Sequence, residues 1–215
     1  MVKLSPSILA CDFLNIEKEV KAMQDAQVDY IHFDIMDGHF VPNITFGTKF
    51  VKSVKKITKI PFDVHLMIHR PERYIDEFAE AGADIITFHS ETTHFPIRLT
   101  EQIKKKKCLA GISINPGTSL HQIMDILNYV DLILLMSVEP GFHGQAFIEN
   151  CYDKLKTLKE IITQKGVKTL IEIDGGVSRE NHAKLIKNGA DILVIGADFY
   201  KQTNYKNYVN EIKNG

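Results

Sequence analysis

Along the chain, short apolar runs bounded by Gly, Pro, Asn or Asp alternate with longer stretches in which apolar residues recur every three or four positions. The short runs are "KLSPSIL" near 3, "YIHFDI" at 30, "FDVHLM" at 62, "IITFH" at 85, "LAGISI" at 109, "LILLM" at 132, "TLIEID" at 169 and "ILVIG" at 192. They read as β-strands. Between them, "IEKEVKAMQDA", "PERYIDEFAEAGA", "FIENCYDKLKTLKEIITQKG" and "RENHAKLIKNGA" carry the helical period, and several end at a Gly, a common helix terminator. Strand starts lie 23 to 37 residues apart. Strands alternating with helices at that spacing predict right-handed βαβ units and a parallel sheet. Eight units in 215 residues predict an α/β fold, a single (β/α)8 TIM barrel over residues 1–215.

One run breaks the expected pattern. In "YIHFDIM", Ile31, Phe33 and Ile35 share one face of the strand, while His32, Asp34 and Met36 share the other. An imidazole and a carboxylate on an inward face are costly to bury without partners, which can be water, one another or a metal ion. Barrel chemistry sits at the C-terminal ends of the strands. Strand by strand, those ends offer Ser7, then His32 with Asp34, His65, His89, Asn115, Met136 with Ser137, Asp174 and Gly196. Two histidines and two aspartates from three strands form a mixed N and O ligand set suited to Zn, Fe, Mn or Co. The alternative, that each is an isolated polar group satisfied by a neighbour, accounts for any one of them more readily than for all four together.

Composition narrows the setting. Lys plus Arg total 26 against 27 Asp plus Glu, a net charge of -1, so no global field recruits nucleic acid or an anionic membrane. Three cysteines are too few for a disulfide framework or a thiolate zinc site and favour a reducing, cytoplasmic location. No signal peptide is expected at the N-terminus, and no run of 18 apolar residues predicts a membrane span.

The segments "PSILACDF", "HFDIMDGHFVPNITFG", "DVHLMI", "INPGT", "MSVEPGFHGQAF" and "IEIDGGV" resemble those of the ribulose-phosphate 3-epimerase family, over nearly the whole chain. The resemblance implies one divalent metal ion per subunit held by His32, Asp34, His65 and Asp174, with the two aspartates also serving as acid and base. It implies that Ser7 and His65 contact the substrate. Phosphate would be held around Gly141, Phe142, His143 and Gly144 after strand six, Gly175 and Gly176 after strand seven, and Gly196 and Ala197 after strand eight. It further implies an adaptable collar of Met36, Met67 and Met136, a homo-oligomer (dimer or hexamer) and a place in the pentose phosphate pathway. Family members commonly carry a small residue where this chain has His143 and a serine where it has Ala197.

The residue types suit that chemistry. Inverting a carbon next to a ketone requires a proton to leave one face and another to arrive on the opposite face, which two carboxylates across the barrel mouth can do. A metal ion bridging the enediolate oxygens would stabilise the charge that develops. Asp34 is expected as base toward the D-ribulose-type isomer and Asp174 as acid, exchanging roles in reverse. Glycines in three neighbouring loops let backbone N–H groups approach a phosphate, beside a short helix expected near Asp198. The expected substrate is D-ribulose 5-phosphate, with a hexulose 6-phosphate such as D-allulose 6-phosphate as the close alternative. A non-catalytic sugar-phosphate binding barrel would leave the paired aspartates and histidines unexplained. Glu172 is expected to support Asp174 rather than react, Asp37 to form a turn, and the loop from Asp37 to Gly47 to serve as a lid. His39, His69, His94, His121 and His182 are expected to be solvated or structural, and His89 to be a satisfied wall residue.

Overall fold

The computed structural model describes residues 1–214. Eight strands form one parallel sheet: β1 (Lys3–Pro6), β2 (Ile31–Met36), β3 (Phe62–Met67), β4 (Ile85–His89), β5 (Leu109–Ile114), β6 (Leu132–Met136), β7 (Leu170–Asp174) and β8 (Ile192–Ile195). Each pairs with its sequence neighbour from β2 through β8, and β8 pairs with β1. A parallel bridge between Ser7 and His32 joins β1 to β2 and closes the barrel. The helices are α1 (Ile16–Asp25), α2 (Thr48–Lys55), α3 (Ile75–Ala81), α4 (Pro96–Lys105), α5 (Asn150–Lys165), α6 (His182–Lys187), α7 (Ala197–Tyr200) and α8 (Tyr205–Asn214).

The expected alternation holds except between β5 and β6. There the connection is a 3-10 turn, Leu120–Ile123, rather than an α-helix. Its polar stretch "NPGTS" is a loop pinned from outside: the Lys154 ammonium on α5 donates to the carbonyls of Asn115, Pro116 and Thr118.

The main apolar core lies between strands and helices, not inside the barrel. Ile31, Phe33 and Ile35 point outward into it, joined by Val20 and Met23 of α1 and Val51 and Val54 of α2. Phe33 packs on Phe62 with ring centroids 4.7 Å apart, and both are fully buried. Burial of one such side chain contributes about 1.5–3 kcal/mol, so this outer layer fixes which face of β2 and β3 turns inward. The inward face is therefore determined: Ser5, His32, Asp34, Asp63, His65, Thr87, His89, Ser113 and Glu172, all buried. A smaller apolar cluster that includes Tyr30, Ile85, Leu132, Leu134 and Ile192 packs apart from the main one. Among the described residues no helix is long and apolar enough to cross a membrane.

Candidate active site

His32, Asp34, His65 and Asp174 converge. His32 Nε2 lies 3.3 Å from Asp34 Oδ1 and 3.9 Å from Asp174 Oδ2, while His65 Nδ1 lies 3.4 Å from Asp34 Oδ1 and 3.7 Å from Asp174 Oδ2. A tetrahedron of ligands about 2.1 Å from a metal has edges of roughly 3.4 Å, so this spacing fits one divalent cation. An orphaned atom supports the same fit: His32 Nε2 is buried without a hydrogen-bond partner and faces both carboxylates. Asp34 arrives from β2 and Asp174 from β7, three strands apart around the eight-stranded barrel, so the two carboxyl groups reach in from far sides of the mouth and bring their ligand-type oxygens within 4.8 Å of each other.

The two carboxyl groups occupy different environments. Burial opposes ionisation of Asp34, but the adjacent His32 and His65 overcome it and hold its pKa far below the usual carboxylate range. Ser7 Oγ donates to Asp34 Oδ2 at 2.5 Å, which favours the same charged form. Asp174 goes the other way, pushed up to about 7 by burial and then by the charge on Asp34. The two carboxyl groups are thus pushed apart, Asp34 toward the ionised form and Asp174 toward the protonated one.

Beneath this cluster is a second polar layer. Asp63 stands beside His32 in the register of β2 and β3 and accepts a hydrogen bond from its Nδ1 at 2.6 Å, which turns Nε2 toward the cluster. Ser5 Oγ donates to the same Asp63 oxygen at 3.0 Å. Glu172 is fully buried, and burial, then the charge of Asp63, raises its pKa well above that of a free glutamate. A neutral Glu172 beside an ionised Asp63 avoids a pair of like charges in the barrel interior. Sequence reasoning missed Asp63 and Ser5. The signal was present, because Asp63 stands two residues before His65 and so shares its inward face.

The site opens into a cleft of about 440 Å³, within the range of roughly 300–1,000 Å³ typical of small-ligand sites. Ser7, Met36, Met67 and Met136 line it, together with Gly141, Phe142, His143, Gly144, Gly175, Gly176, Gly196 and Ala197. Met36 and Met67 pack with Val41, Leu9 and Phe40 as an apolar rim. Phe142 and His143 are exposed at the mouth. Gly175 and Gly176 adopt positive φ (116° and 61°), and a Cβ on them would meet the backbone N of Val138 at 2.8 Å and of Phe147 at 2.7 Å. Close packing of the β6 and β7 loops therefore requires both glycines, whatever ligand they face. The short helix expected near Asp198 is α7, with Ala197 as its first residue.

The loop from Asp37 to Gly47 is anchored. Asp37 Oδ1 accepts from the backbone N–H groups of His39 and Phe40, and Oδ2 accepts from that of His69, so its turn-forming role extends to a tie onto the β3 loop. Asn43 Nδ2 donates to the Gly141 carbonyl at 3.1 Å, joining the β2 and β6 loops over the cleft. His39, His69, His94 and His121 are exposed, and His182 is buried with Nδ1 2.9 Å from the Arg179 carbonyl oxygen. All three cysteines are buried free thiols.

Known proteins give the family. The model of the Ribulose-phosphate 3 epimerase family matches residues 3–200. A ribulose-phosphate 3-epimerase of Bacillus subtilis is 44% identical over 214 residues, covering 99% of both chains. That of Methanocaldococcus jannaschii is 40% identical over 213 residues, 99% of this chain and 90% of its own. The chloroplastic enzyme of Arabidopsis thaliana is 45% identical, covering 98% of this chain and 75% of that one. Among solved structures, KGPDC from Streptococcus mutans superposes with a TM-score of 0.73 at 12% identity over 100% of this chain and 96% of that one. The tryptophan synthase α-subunit of Pyrococcus furiosus gives 0.71 at 16% over 100% and 98%. Those two likenesses concern the barrel alone. A family match over nearly the whole chain, together with the convergence of four ligand-type residues at the barrel mouth, places this chain in the ribulose-phosphate 3-epimerase family.

Proposed function

We propose that the protein interconverts D-ribulose 5-phosphate and D-xylulose 5-phosphate by proton transfer at C3, with Asp34 and Asp174 as the base and acid. The observation that carries this reading is the pair of carboxyl groups brought together at the barrel mouth in unequal settings: Asp34 against His32, His65 and Ser7, and Asp174 buried beside it with its pKa pushed up to about 7. In the direction from the ribulose isomer, Asp34 removes the C3 proton and Asp174 delivers its own to the opposite face. The roles then exchange for the reverse reaction. The C3–H bonding pair passes into an enediolate, which takes up the incoming proton at the same carbon.

Ser7 keeps Asp34 oriented through its hydroxyl, and Met36, Met67 and Met136 form an apolar surface against the sugar backbone. A divalent cation held by His32, Asp34, His65 and Asp174 would supply positive charge for the oxyanion that develops beside C3. The substrate phosphate lies against the backbone N–H groups of the glycine loops around Gly141 to Gly144, Gly175 and Gly176, and Gly196 and Ala197. Ala197 offers its N–H without a side-chain hydroxyl, so phosphate is held through the backbone there. The relatives' names favour the five-carbon phosphate over a six-carbon one. Incubation of the metal-loaded protein with D-ribulose 5-phosphate, followed by carbon-13 NMR, should show the xylulose isomer. Its absence from protein shown to hold metal would overturn the assignment.

A further inference from the structure

A phosphate monoester carries a charge of about −1.5 to −2 at pH 7, and the glycine loops proposed to hold it offer only backbone N–H groups. Four charged side chains line the same end of the cleft: Arg179 and Glu180 after β7, and Asp198 and Lys201 after β8. Their partners separate them.

Arg179 is committed elsewhere. Its Nε lies 2.9 Å from Glu211 on α8, a terminal guanidinium nitrogen donates to Gln202 Oε1 at 3.3 Å, and the guanidinium sits over the Tyr208 ring, 5.3 Å from its centroid. Asp198 is tied down as well. Its Oδ2 accepts from the Arg179 backbone N–H at 2.9 Å and from the Tyr208 hydroxyl at 2.7 Å, which draws the carboxylate toward α8. Glu180 is exposed and has the wrong sign to hold an anion. Lys201 is the remaining cation: it is exposed, and among the described residues its ammonium makes no ion pair or hydrogen bond, although Asp198 stands only three positions before it.

Local geometry sets where that ammonium goes. Lys201 caps α7 with helical backbone angles (φ −74°, ψ −13°), and its N–H donates to the Ala197 carbonyl at 3.3 Å, one turn back. A side chain in this conformation leans toward the helix N-terminus, over the residues three and four before it, which are Asp198 and Ala197. The flexible four-carbon stem then carries the charge into the cleft that Lys201 shares with Gly176, Gly196 and Ala197.

We propose that Lys201 is a substrate-binding residue whose ammonium pairs with the phosphate beside Ala197, adding a full positive charge to a cradle otherwise made of backbone N–H groups. The inference rests on the phosphate-site reading given above. The phosphate is remote from C3 and keeps its charge throughout the reaction, so this contact lowers KM and leaves the rate of proton transfer alone.

The test compares full-length, metal-loaded variants at low ionic strength, where screening is weak. Lys201→Met keeps most of the stem and removes the charge. Lys206→Met makes the same change of net charge on α8, at a side chain that lines a separate hollow between α1 and α8. Both lysines are exposed, and circular dichroism should show both variants folded. Lys201→Met should raise KM for D-ribulose 5-phosphate about 5- to 10-fold at nearly constant kcat, the range expected for losing one charge-assisted contact at a partly exposed site. The dissociation constant of inorganic phosphate, followed by phosphorus-31 NMR, should rise by the same factor. Lys201→Arg keeps the charge and should stay within about two-fold of the wild type, and Lys206→Met should change neither quantity. A KM and phosphate affinity unchanged by Lys201→Met, an equal loss in Lys206→Met, or a fall in kcat in place of the rise in KM would overturn the proposal. A wild type that binds inorganic phosphate in a Lys201-dependent manner without converting the sugar phosphate would instead count against the epimerase reading, while leaving the lysine contact supported.

Discussion

At the scale of single residues, the proposed reaction depends on two carboxyl groups of the same chemical type in unequal surroundings. Asp34→Asn and Asp174→Asn each remove one proton carrier and should lower turnover by at least about 10²- to 10⁴-fold while leaving the fold intact by circular dichroism. Full activity in either would contradict the two-acid scheme. A pH effect follows from Asp174. Its pKa in the folded, metal-free protein is raised from 3.8 to about 7, so the folded state binds a proton that the unfolded chain releases. The stability this contributes is present below pH 3.8 and is lost as pH rises through 7. The melting temperature of metal-free protein should fall between pH 5 and 8, and the fall should be smaller in Asp174→Asn. Equal slopes would show that Asp174 titrates normally. His143 is exposed at the cleft mouth, so His143→Gly should leave the maximal rate essentially unchanged, which steady-state kinetics checks directly.

At the scale of elements, the hydrophobic alternation of β2 to β4 located the strands and their inward residues, because the outward Ile31, Phe33 and Phe62 have one place to go. What stayed hidden is whatever depends on register. Asp63 supports His32 only because β3 pairs with β2 in a particular alignment, and no run of residues within one strand states that alignment. His89 was equally hard to place, since its contact with the His65 ring depends on how β4 pairs with β3. The glycines of the β7 loop were visible as a "DGG" motif, but the packing reason for them was not. Gly176→Ala would bring a Cβ to 2.7 Å from the Phe147 backbone N at a positive φ. It should cost at least about 1–3 kcal/mol and, by shifting the β6 loop, raise KM for the sugar phosphate. An unchanged melting curve and KM would show that the loop tolerates the displacement.

At the scale of the molecule, the barrel separates stability from chemistry. Its apolar layer lies outside the sheet, under the helices, and this leaves the interior free to carry charged groups in two stacked layers, Asp63 and Glu172 beneath the four residues at the mouth. The eight strands and their order were legible from spacing, whereas the missing helix between β5 and β6 was not, because a loop tied down by Lys154 leaves no periodic trace. In the proposed reaction separate groups serve the two faces of C3, and the fate of the C3 hydrogen distinguishes this from transfer by a single group. The metal-loaded protein is mixed with D-ribulose 5-phosphate in D2O and the first products are read by proton NMR. Two acids predict that the first xylulose isomer formed carries deuterium at C3 while unreacted substrate keeps its protium. A product that retains the substrate's own hydrogen at C3 would mean that one group carries the proton between faces, and would contradict the paired roles of Asp34 and Asp174.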